Sequence, residues 1–325
     1  MSGCHRDATT AARTPASAKT LKIAMIAKSS TNPVFLSARA GAEAAAKELA
    51  EQHGVAVEID WRTPPTEDGQ VQAQRIAEAV NEGADAILVS CSDATKVNGA
   101  INDAAARGVP VMTFDSDAPD SARFAYYGVD DREIGRRVMA ELGQVLDGKG
   151  NVAILAGNQN APNLRKRVEG VKEGAKQFPG INFVGTFYNV ETPQDAAAEV
   201  LRVMNAYPQI TGWAMVGGWP LFTTTLLTDL DPNKVKVVAV DGLPAQLAYV
   251  EKGIAPVLLA QPTYLWGSVS VREIFDKVRL NRAVPTVNRM EPVKVTKENL
   301  AAWARQLREW GFEVPEQYVT ATGQQ

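Results

Sequence analysis

Polar and aromatic side chains occupy a short turn near the start of the chain, between Ser29 and Phe35. The turn carries the hydroxyls of Ser29 and Ser30, the carboxamide of Asn32 and the ring of Phe35, without the glycines of a phosphate-binding loop. Hydroxyl and amide groups both donate and accept hydrogen bonds, and an aromatic ring can cover an apolar face of a ligand. These side chains predict a neutral, hydroxyl-rich ligand rather than a pyrophosphate.

The segments on either side of this turn explain why it would bind a ligand. The apolar run 23–27 predicts a β-strand, and the small-residue segment through Gly41 to Leu49 predicts a helix. A strand, a polar turn and a helix in that order form the first half of a βαβ unit. In open α/β sheets, ligands bind outside the carboxyl ends of the strands, which is where this turn lies.

The alternation of strand and helix patterns continues along the chain and restarts after Asp130, which predicts two lobes. In the first lobe Asp115 directly follows the fourth strand. A helix over 267–277 has no strand partner beyond it, so we expect the chain to cross back to the first lobe there. The further predicted elements include strands at 55–61, 86–90, 109–114, 151–155, 181–187, 212–216 and 235–240, and helices at 221–228, 245–252 and 297–310.

The fold class predicted is therefore α/β, with two doubly wound parallel-sheet lobes joined by a three-crossing hinge and a ligand cleft between them. Residues 1–20 are expected to form a flexible tether or processed N-terminus. We assign 21–128 plus 262–287 to the N-terminal lobe and 129–261 plus 288–319 to the C-terminal lobe. The helix over 297–310 is predicted to be a packing element because its apolar residues recur at helical spacing.

Composition excludes several classes of function. The 325 residues are 45% hydrophobic and 22% charged, with a net charge of −3, so no broad cationic surface for nucleic acid is expected. The longest apolar runs are strand-sized, so none predicts a membrane span. Two histidines and two cysteines, all scattered, predict no metal site and no cysteine–histidine nucleophile. We expect no cofactor, and Cys91 ends an apolar run where a buried thiol is the simplest interpretation.

The N-terminus contains a second, different cysteine. Ser2-Gly3-Cys4 resembles the end of a bacterial lipoprotein signal, in which the cysteine is acylated, and a polar stretch rich in Ala, Thr and Ser follows it. The resemblance implies lipidation of Cys4 and an extracytoplasmic, periplasmic location. The alternative is an unmodified cytoplasmic leader with a chance cysteine.

Five blocks of sequence resemble the ribose-type periplasmic sugar-binding proteins of ABC importers, which share their fold with the ligand domains of lactose-repressor-type regulators. The resemblance covers residues 21–295 and rests on IAMIAKSSTNPVF, GVPVMTFDSD, LRKRVEGVKEGA, VVAVDGLP and VLLAQP. It implies a monomeric solute-binding protein that captures a sugar or sugar-like polyol by cleft closure and delivers it to an ABC permease. Contact with the membrane would be through a lipid anchor alone.

The resemblance also implies a set of ligand-binding residues. Five of the predicted positions carry hydrogen-bonding or charged groups, which would bind sugar hydroxyls. The other two carry aromatic rings, which would cover a face of the sugar. The resemblance implies Asn32, Phe35, Asp115, Arg165, Asp241 and Gln261, and the predicted site also includes Trp219, whose ring could cover a sugar face.

The chain departs from the family pattern at three places. Val34 stands where a second aromatic is usual, and Ser116 replaces an arginine beside Asp115. An Asn-Asp pair is replaced by Gly217-Gly218, followed by Trp219. Hexoses, pentoses, inositol-like polyols and deoxysugars therefore all stay open as ligands, and Trp61, at another strand end, is a weaker candidate for the cleft.

Three alternative functions differ in the sequence features that they require. An enzyme on a doubly wound sheet would need a glycine-rich phosphate turn or a base–nucleophile pair, and the sequence predicts neither. A repressor would need a helix-turn-helix ahead of Leu21, which the polar, proline-interrupted leader does not predict. A binding protein that presents its sugar to a membrane receptor is the alternative to transport.

Overall fold

The computed structural model describes residues 20–320. In this part of the chain, no helix is both long enough and apolar enough to cross a bilayer. The strands are β1 (Leu21–Ile26), β2 (Val57–Trp61), β3 (Ala86–Val89), β4 (Val111–Phe114), β5 (Ala125–Gly128), β6 (Lys149–Ala156), β7 (Gly180–Tyr188), β8 (Gly212–Met215), β9 (Lys236–Val240), β10 (Val257–Ala260), β11 (Val287–Arg289) and β12 (Val293–Val295).

Helices connect most of these strands. The α-helices are α1 (Pro33–His53), α2 (Gly69–Asn81), α3 (Ala94–Ala106), α4 (Asp131–Val145), α5 (Pro162–Gly174), α6 (Pro193–Ala206), α7 (Leu247–Glu251), α8 (Thr263–Val278), α9 (Leu300–Glu309) and α10 (Glu316–Thr320). Short 3-10 helices cover Ala175–Gln177, Trp219–Leu221 and Pro244–Gln246.

The strands form two six-stranded sheets, which confirms the predicted fold class. The first sheet has the order β11-β5-β4-β3-β1-β2, and all its pairings are parallel. The second has the order β12-β10-β9-β8-β6-β7, in which only the β10–β12 pairing is antiparallel. In each sheet the order reverses direction in the middle, as doubly wound sheets do, so helices cover both faces. The first lobe is the first sheet with α1–α3 and α8, and the second lobe is the rest.

Three crossings join the lobes. The chain passes from β5 to α4 near Asp130, from β10 to α8 at Gln261-Pro262, and from β11 to β12 between Arg289 and Val293. The predicted lobe boundary after residue 287 falls inside β11, which pairs with β5 through Arg289. The third crossing therefore lies two residues later than expected, because β11 remains paired in the first sheet as far as Arg289.

Three predicted helices differ from the structure, and one of them, predicted over 267–277, begins four residues earlier at Thr263. No α-helix forms over 221–228, where a 3-10 helix at Trp219–Leu221 is followed by bends. The three consecutive threonines from Thr223 hydrogen-bond locally, since the Thr225 N–H donates to Thr223 Oγ1 at 3.3 Å, and such bonds compete with a helix. The last predicted helix begins at Leu300 rather than residue 297, and it packs on the second lobe as expected, with the Trp303 indole donating to the Gly242 carbonyl.

The helices α1 and α8 hold the first lobe together by close backbone approach. Local signals define α1: Asn32 caps its first turn by accepting from the Val34 N–H, Pro33 starts it, and Gly54 ends it in the left-handed region. Small residues then let α8 lie against α1. A Cβ on Gly41 would collide with the Tyr264 carbonyl, and one on Gly267 would collide with the Ala38 carbonyl.

We expect Gly267→Ala to lower the free energy of unfolding by about 2–3 kcal/mol, because the added methyl must push two helix backbones apart. The measurement is urea unfolding followed by circular dichroism. Gly99→Ala is the matched control, since a Cβ there meets nothing within 4 Å in the middle of α3, and alanine favours a helix interior. Equal stabilities for the two variants would contradict the close packing of α1 on α8.

Candidate functional site

Six of the seven predicted site residues meet in one small compartment between the lobes. They come from turns at the carboxyl ends of β1, β4, β8, β9 and β10, or from the first turn of α1. Because parallel strands end at the same edge of a sheet, side chains far apart in sequence converge there. The six are Asn32, Phe35, Asp115, Trp219, Asp241 and Gln261.

The compartment is centred on the buried guanidinium of Arg167, a residue that the sequence reasoning did not select. Its Nε donates to Asp131 Oδ1 at 2.9 Å and its Nη1 to the Val216 carbonyl at 3.1 Å. Its Nη2 donates to Gln261 Oε1 at 3.1 Å and lies 3.7 Å from Asp115 Oδ1. One cation thus touches both lobes and the second crossing.

Arg165, the predicted arginine, is not in this compartment. It lies on the exposed face of α5, in a surface groove with Glu169 and Lys172. Residues two apart on a helix point about 200° apart, so the motif Arg165-Lys166-Arg167 presents one arginine to solvent and the other to the cleft. The prediction chose the wrong member of this pair, and Arg167 occupies the position expected of Arg165.

Asp115 joins the two lobes. Its Oδ2 accepts from Ser90 Oγ at 2.8 Å within the first lobe, and its Oδ1 accepts from Asn163 Nδ2 of the second lobe at 3.1 Å. Its backbone has a φ of 55°, a conformation that is strained for most residues but that aspartate tolerates. The strained turn directs the carboxylate across the cleft, which is typical of a functional position.

Asp241 is the corresponding carboxylate of the second lobe. It has a φ of 73°, and its two oxygens accept from Gln261 Nε2 at 2.9 Å and the Gly218 N–H at 3.2 Å. Burial raises the pKa of Asp241, while the charge of Arg167 opposes that shift. Burial also raises the pKa of Asp131 to about 6, again against the effect of Arg167. The guanidinium therefore opposes the effect of burial on both carboxyl groups and favours their charged form.

Aromatic rings form the apolar walls. Phe35 stacks on Trp266 with centroids 6.2 Å apart and meets Phe114 edge-on at 6.4 Å. Trp219 is buried, and its indole lies where a Cβ on Gly217 would be. A Cβ on Gly218 would lie 2.7 Å from the Val240 carbonyl. Gly217 therefore leaves the space that the Trp219 ring occupies, whereas Gly218 is required by the neighbouring backbone.

The remaining candidates lie elsewhere. Trp61 is half-buried on the first lobe, with the Arg39 guanidinium 5.4 Å over its ring. Cys91 is buried, and burial raises the pKa of its thiol. Ser116 is buried beside Asp115 and its hydroxyl has no hydrogen-bond partner in the described part of the chain. Cys4 falls outside residues 20–320.

Sequence reasoning also missed four further residues that line the compartment. Lys28 and Glu191 each follow a strand, β1 and β7, so the strand-end rule could have identified them. Asn163 and Trp266 lie in first turns of helices, where no sequence signal distinguishes them from packing residues. Within residues 20–320 no group of three or more His, Cys, Asp or Glu side chains is placed to hold a metal ion.

The compartment is suited to hydrogen bonding with a small polar molecule. It offers carboxylate acceptors, a planar guanidinium donor and amides that do both, against aromatic walls. As it stands the cavity has about 20 Å³ of space, which is room for about one water. A larger ligand enters only if the lobes separate, and the three crossings are the places where the backbone can rotate.

Comparisons with known proteins agree with this geometry. A profile of the periplasmic binding protein domain matches residues 23–280. The xylitol-binding protein of Mycolicibacterium smegmatis is 24% identical over 201 residues, covering 61% of this chain and 57% of that protein. The ribose import binding protein of Bacillus subtilis is 28% identical over 159 residues, covering 49% of this chain and 50% of that protein. The chain thus spans little more than half the length of these curated relatives.

A solved structure extends the similarity over nearly the whole fold. The ABC transporter solute-binding protein of Burkholderia graminis, in complex with D-arabinose, has a TM-score of 0.80 and 27% identity. The superposition covers 86% of this chain and 96% of that chain.

We expect Arg167→Ala to lower the free energy of unfolding at pH 7 by about 3–5 kcal/mol, because it leaves buried carboxylates without their cation. Urea titration checks this. The deficit should shrink as the pH falls towards 5, because burial raises the pKa of Asp131 to about 6 and protonation then removes its charge.

Arg165→Ala is the matched control for this prediction. As an exposed residue on the same helix it should change the free energy of unfolding by no more than about 0.5 kcal/mol. If the two alanine variants behave alike, Arg167 is not the cation on which the compartment depends.

Proposed function

This chain belongs to the periplasmic binding protein family, and we propose that it captures a sugar or sugar-like polyol between its lobes and delivers it to an ABC permease. The observation that carries the proposal is the convergence of Asp115, Arg167, Asp241 and Gln261 on one buried compartment with aromatic walls. No catalytic step is part of the proposed function.

The chemistry of a polyol matches this compartment. Each hydroxyl group of a sugar donates one hydrogen bond and accepts others, so neighbouring hydroxyls are best bound by alternating acceptors and donors. Asp115 and Asp241 accept, Arg167 donates, and the carboxamides of Asn32 and Gln261 do both. The rings of Phe35 and Trp219 would contact the C–H face of the sugar.

When a sugar binds, its hydroxyls would replace hydrogen bonds that the site residues now make to one another. Asn163 now donates to Asp115, and Gln261 donates to Asp241. A sugar hydroxyl that inserts between such groups takes over these bonds, and the lobes then close over it. Excluding water in this way strengthens each remaining hydrogen bond. The relatives support the ligand class, since their names specify xylitol and ribose, and the D-arabinose complex has the same fold.

The proposal extends to location. Family membership indicates an extracytoplasmic protein, and we propose that Cys4 carries a lipid anchor. Expression of the natural gene in its host with a radiolabelled palmitate precursor should label the wild-type protein and leave Cys4→Ser unlabelled. Equal labelling of the two, or none in either, would contradict the anchor.

The ligand class is tested by thermal shift with a panel of D-ribose, D-arabinose, D-xylose, D-galactose, D-allose, xylitol and myo-inositol. We expect at least one of these to raise the melting temperature, since a ligand that binds only the folded state stabilises it. Absence of any shift across the panel at millimolar concentrations would contradict the proposed ligand class.

Calorimetry with the ligand so identified then tests the site. Asp241→Asn should weaken binding by about 2–4 kcal/mol, because it removes a charged acceptor of buried hydroxyls. Trp219→Ala should weaken binding by about 1–3 kcal/mol. Arg165→Ala, outside the compartment, should bind as the wild type does, and wild-type affinity in Asp241→Asn would place the ligand elsewhere.

A further inference from the structure

A largely buried group of three charged side chains lies at the outer edge of the compartment and spans both lobes. The Lys28 ammonium is 3.1 Å from Glu67 Oε1 and 3.3 Å from Glu191 Oε2, and the side chains of Lys28, Glu67 and Glu191 are 3%, 13% and 6% exposed. We call Lys28, Glu67 and Glu191 the interlobe triad.

The triad is divided between the lobes. Lys28 follows β1 and Glu67 precedes α2 in the first lobe, whereas Glu191 lies between β7 and α6 in the second. The amide of Asn158, also from the second lobe, is 3.4 Å from Glu67 Oε2. Separating the lobes would therefore leave Lys28 with Glu67 and return Glu191 to solvent. Closing them places two carboxylates against a single ammonium.

This arrangement has a charge imbalance. One ammonium and two carboxylates carry a net charge of −1, and burying a net charge is costly. The other charged side chain that acts on Lys28 is Asp115, which is also negative and so adds no compensation. No arginine or second lysine in the described chain is paired with either glutamate. A proton shared between the two carboxyl groups would remove this excess negative charge.

We propose that the lobes close with the uptake of one proton at the interlobe triad, so that closure, and with it the ligand capture proposed above, strengthens as pH falls. The two carboxyl groups are coupled in the closed structure: burial, followed by the charge of Glu191, raises the pKa of Glu67 to about 8, while Lys28 opposes that shift. The geometry alone requires this direction, since two buried carboxylates cannot share one cation without cost.

The direction in which pH changes closure follows from the numbers of protons that the open and closed forms bind. With the lobes apart, Glu67 is solvated and titrates near its ordinary pKa of about 4.3. Between that value and about 8, the closed form binds one proton more than the open form. The equilibrium constant for closure therefore falls by up to about tenfold for each unit that pH rises in this range. Above about 8 the dependence ends, because both forms are then fully ionised.

A cavity beyond the triad gives the proton a route. It has a volume of about 420 Å³, and Glu67 and Glu191 line it together with hydroxyl and amide groups of Ser29, Thr31, Asn158 and Asn189. Water in such a polar space can deliver a proton to the carboxyl groups while the inner compartment stays closed.

The test needs no ligand, so its failure is distinct from failure of the proposed function. Nitroxide labels on Gln70→Cys and Gln194→Cys, two exposed positions in the first turns of α2 and α6, report the distance between the lobes. The background carries Cys4→Ser, and Cys91 is buried. Double electron–electron resonance is measured between pH 5.5 and 9. We expect the wild-type fraction at short distance to fall as pH rises.

Four variants determine the cause. Glu67→Gln and Glu191→Gln each leave a neutral triad, so both should stay at short distance across the whole range. Lys28→Met leaves two carboxylates without a cation, so it should open at lower pH and more steeply than the wild type. Glu58→Gln, an exposed carboxylate on β2 of the same lobe, should behave as the wild type does.

Two results would overturn the proposal. One is a wild-type distance distribution that does not change between pH 5.5 and 9. The other is a pH dependence that persists unchanged in both glutamine variants of the triad. Sugar binding in the thermal-shift panel would be unaffected by either result.

Discussion

The compartment between the lobes depends on one buried cation. Arg167 is 3% exposed and lies among Asp115, Asp131 and Asp241, with its three nitrogens bound to two lobes and a crossing segment. Burial is the main cause of the raised pKa values of Asp131 and Asp241, and the negative charge of Asp115 adds to it. Such a cluster contributes little net stability, because desolvation offsets the attraction. It does fix the direction of each acceptor, and binding polyol hydroxyls needs acceptors in fixed directions.

The sequence predicted the framework well and the site in part, and the difference has a physical cause. Strand periodicity and the strand-end rule located Asn32 and Asp115, and the family resemblance located Asp241 and Gln261, since residues after parallel strands gather at one edge. To choose between Arg165 and Arg167, one must know which side of α5 faces the cleft. A run of neighbouring basic residues does not indicate this. The predicted helix over 221–228 failed for another reason, because local hydroxyl hydrogen bonds compete with a helix there.

The two layers of polar contact between the lobes have different consequences. In the inner layer Asn163 and Arg167 approach Asp115, and both carboxylate oxygens of Asp115 accept a hydrogen bond. In the outer layer Lys28 faces two carboxylates, so the charges do not balance. The inner layer can exchange its partners with ligand hydroxyls, whereas the outer layer is the one proposed to take up a proton. The inner layer would therefore determine which ligand is bound, and the outer layer would determine how closure depends on pH.

The contact of α1 with α8 has a consequence for the order in which the molecule can assemble. Thr263 at the start of α8 donates to the Ser37 hydroxyl of α1 across 226 residues of sequence. During synthesis the first five strands emerge early, but the apolar face of α1 stays uncovered until nearly the whole chain has appeared. Contacts of such high sequence separation slow folding. A polypeptide of this topology therefore remains without its finished first lobe for most of its synthesis, and the apolar surface that α8 will cover must be kept from other contacts during that interval.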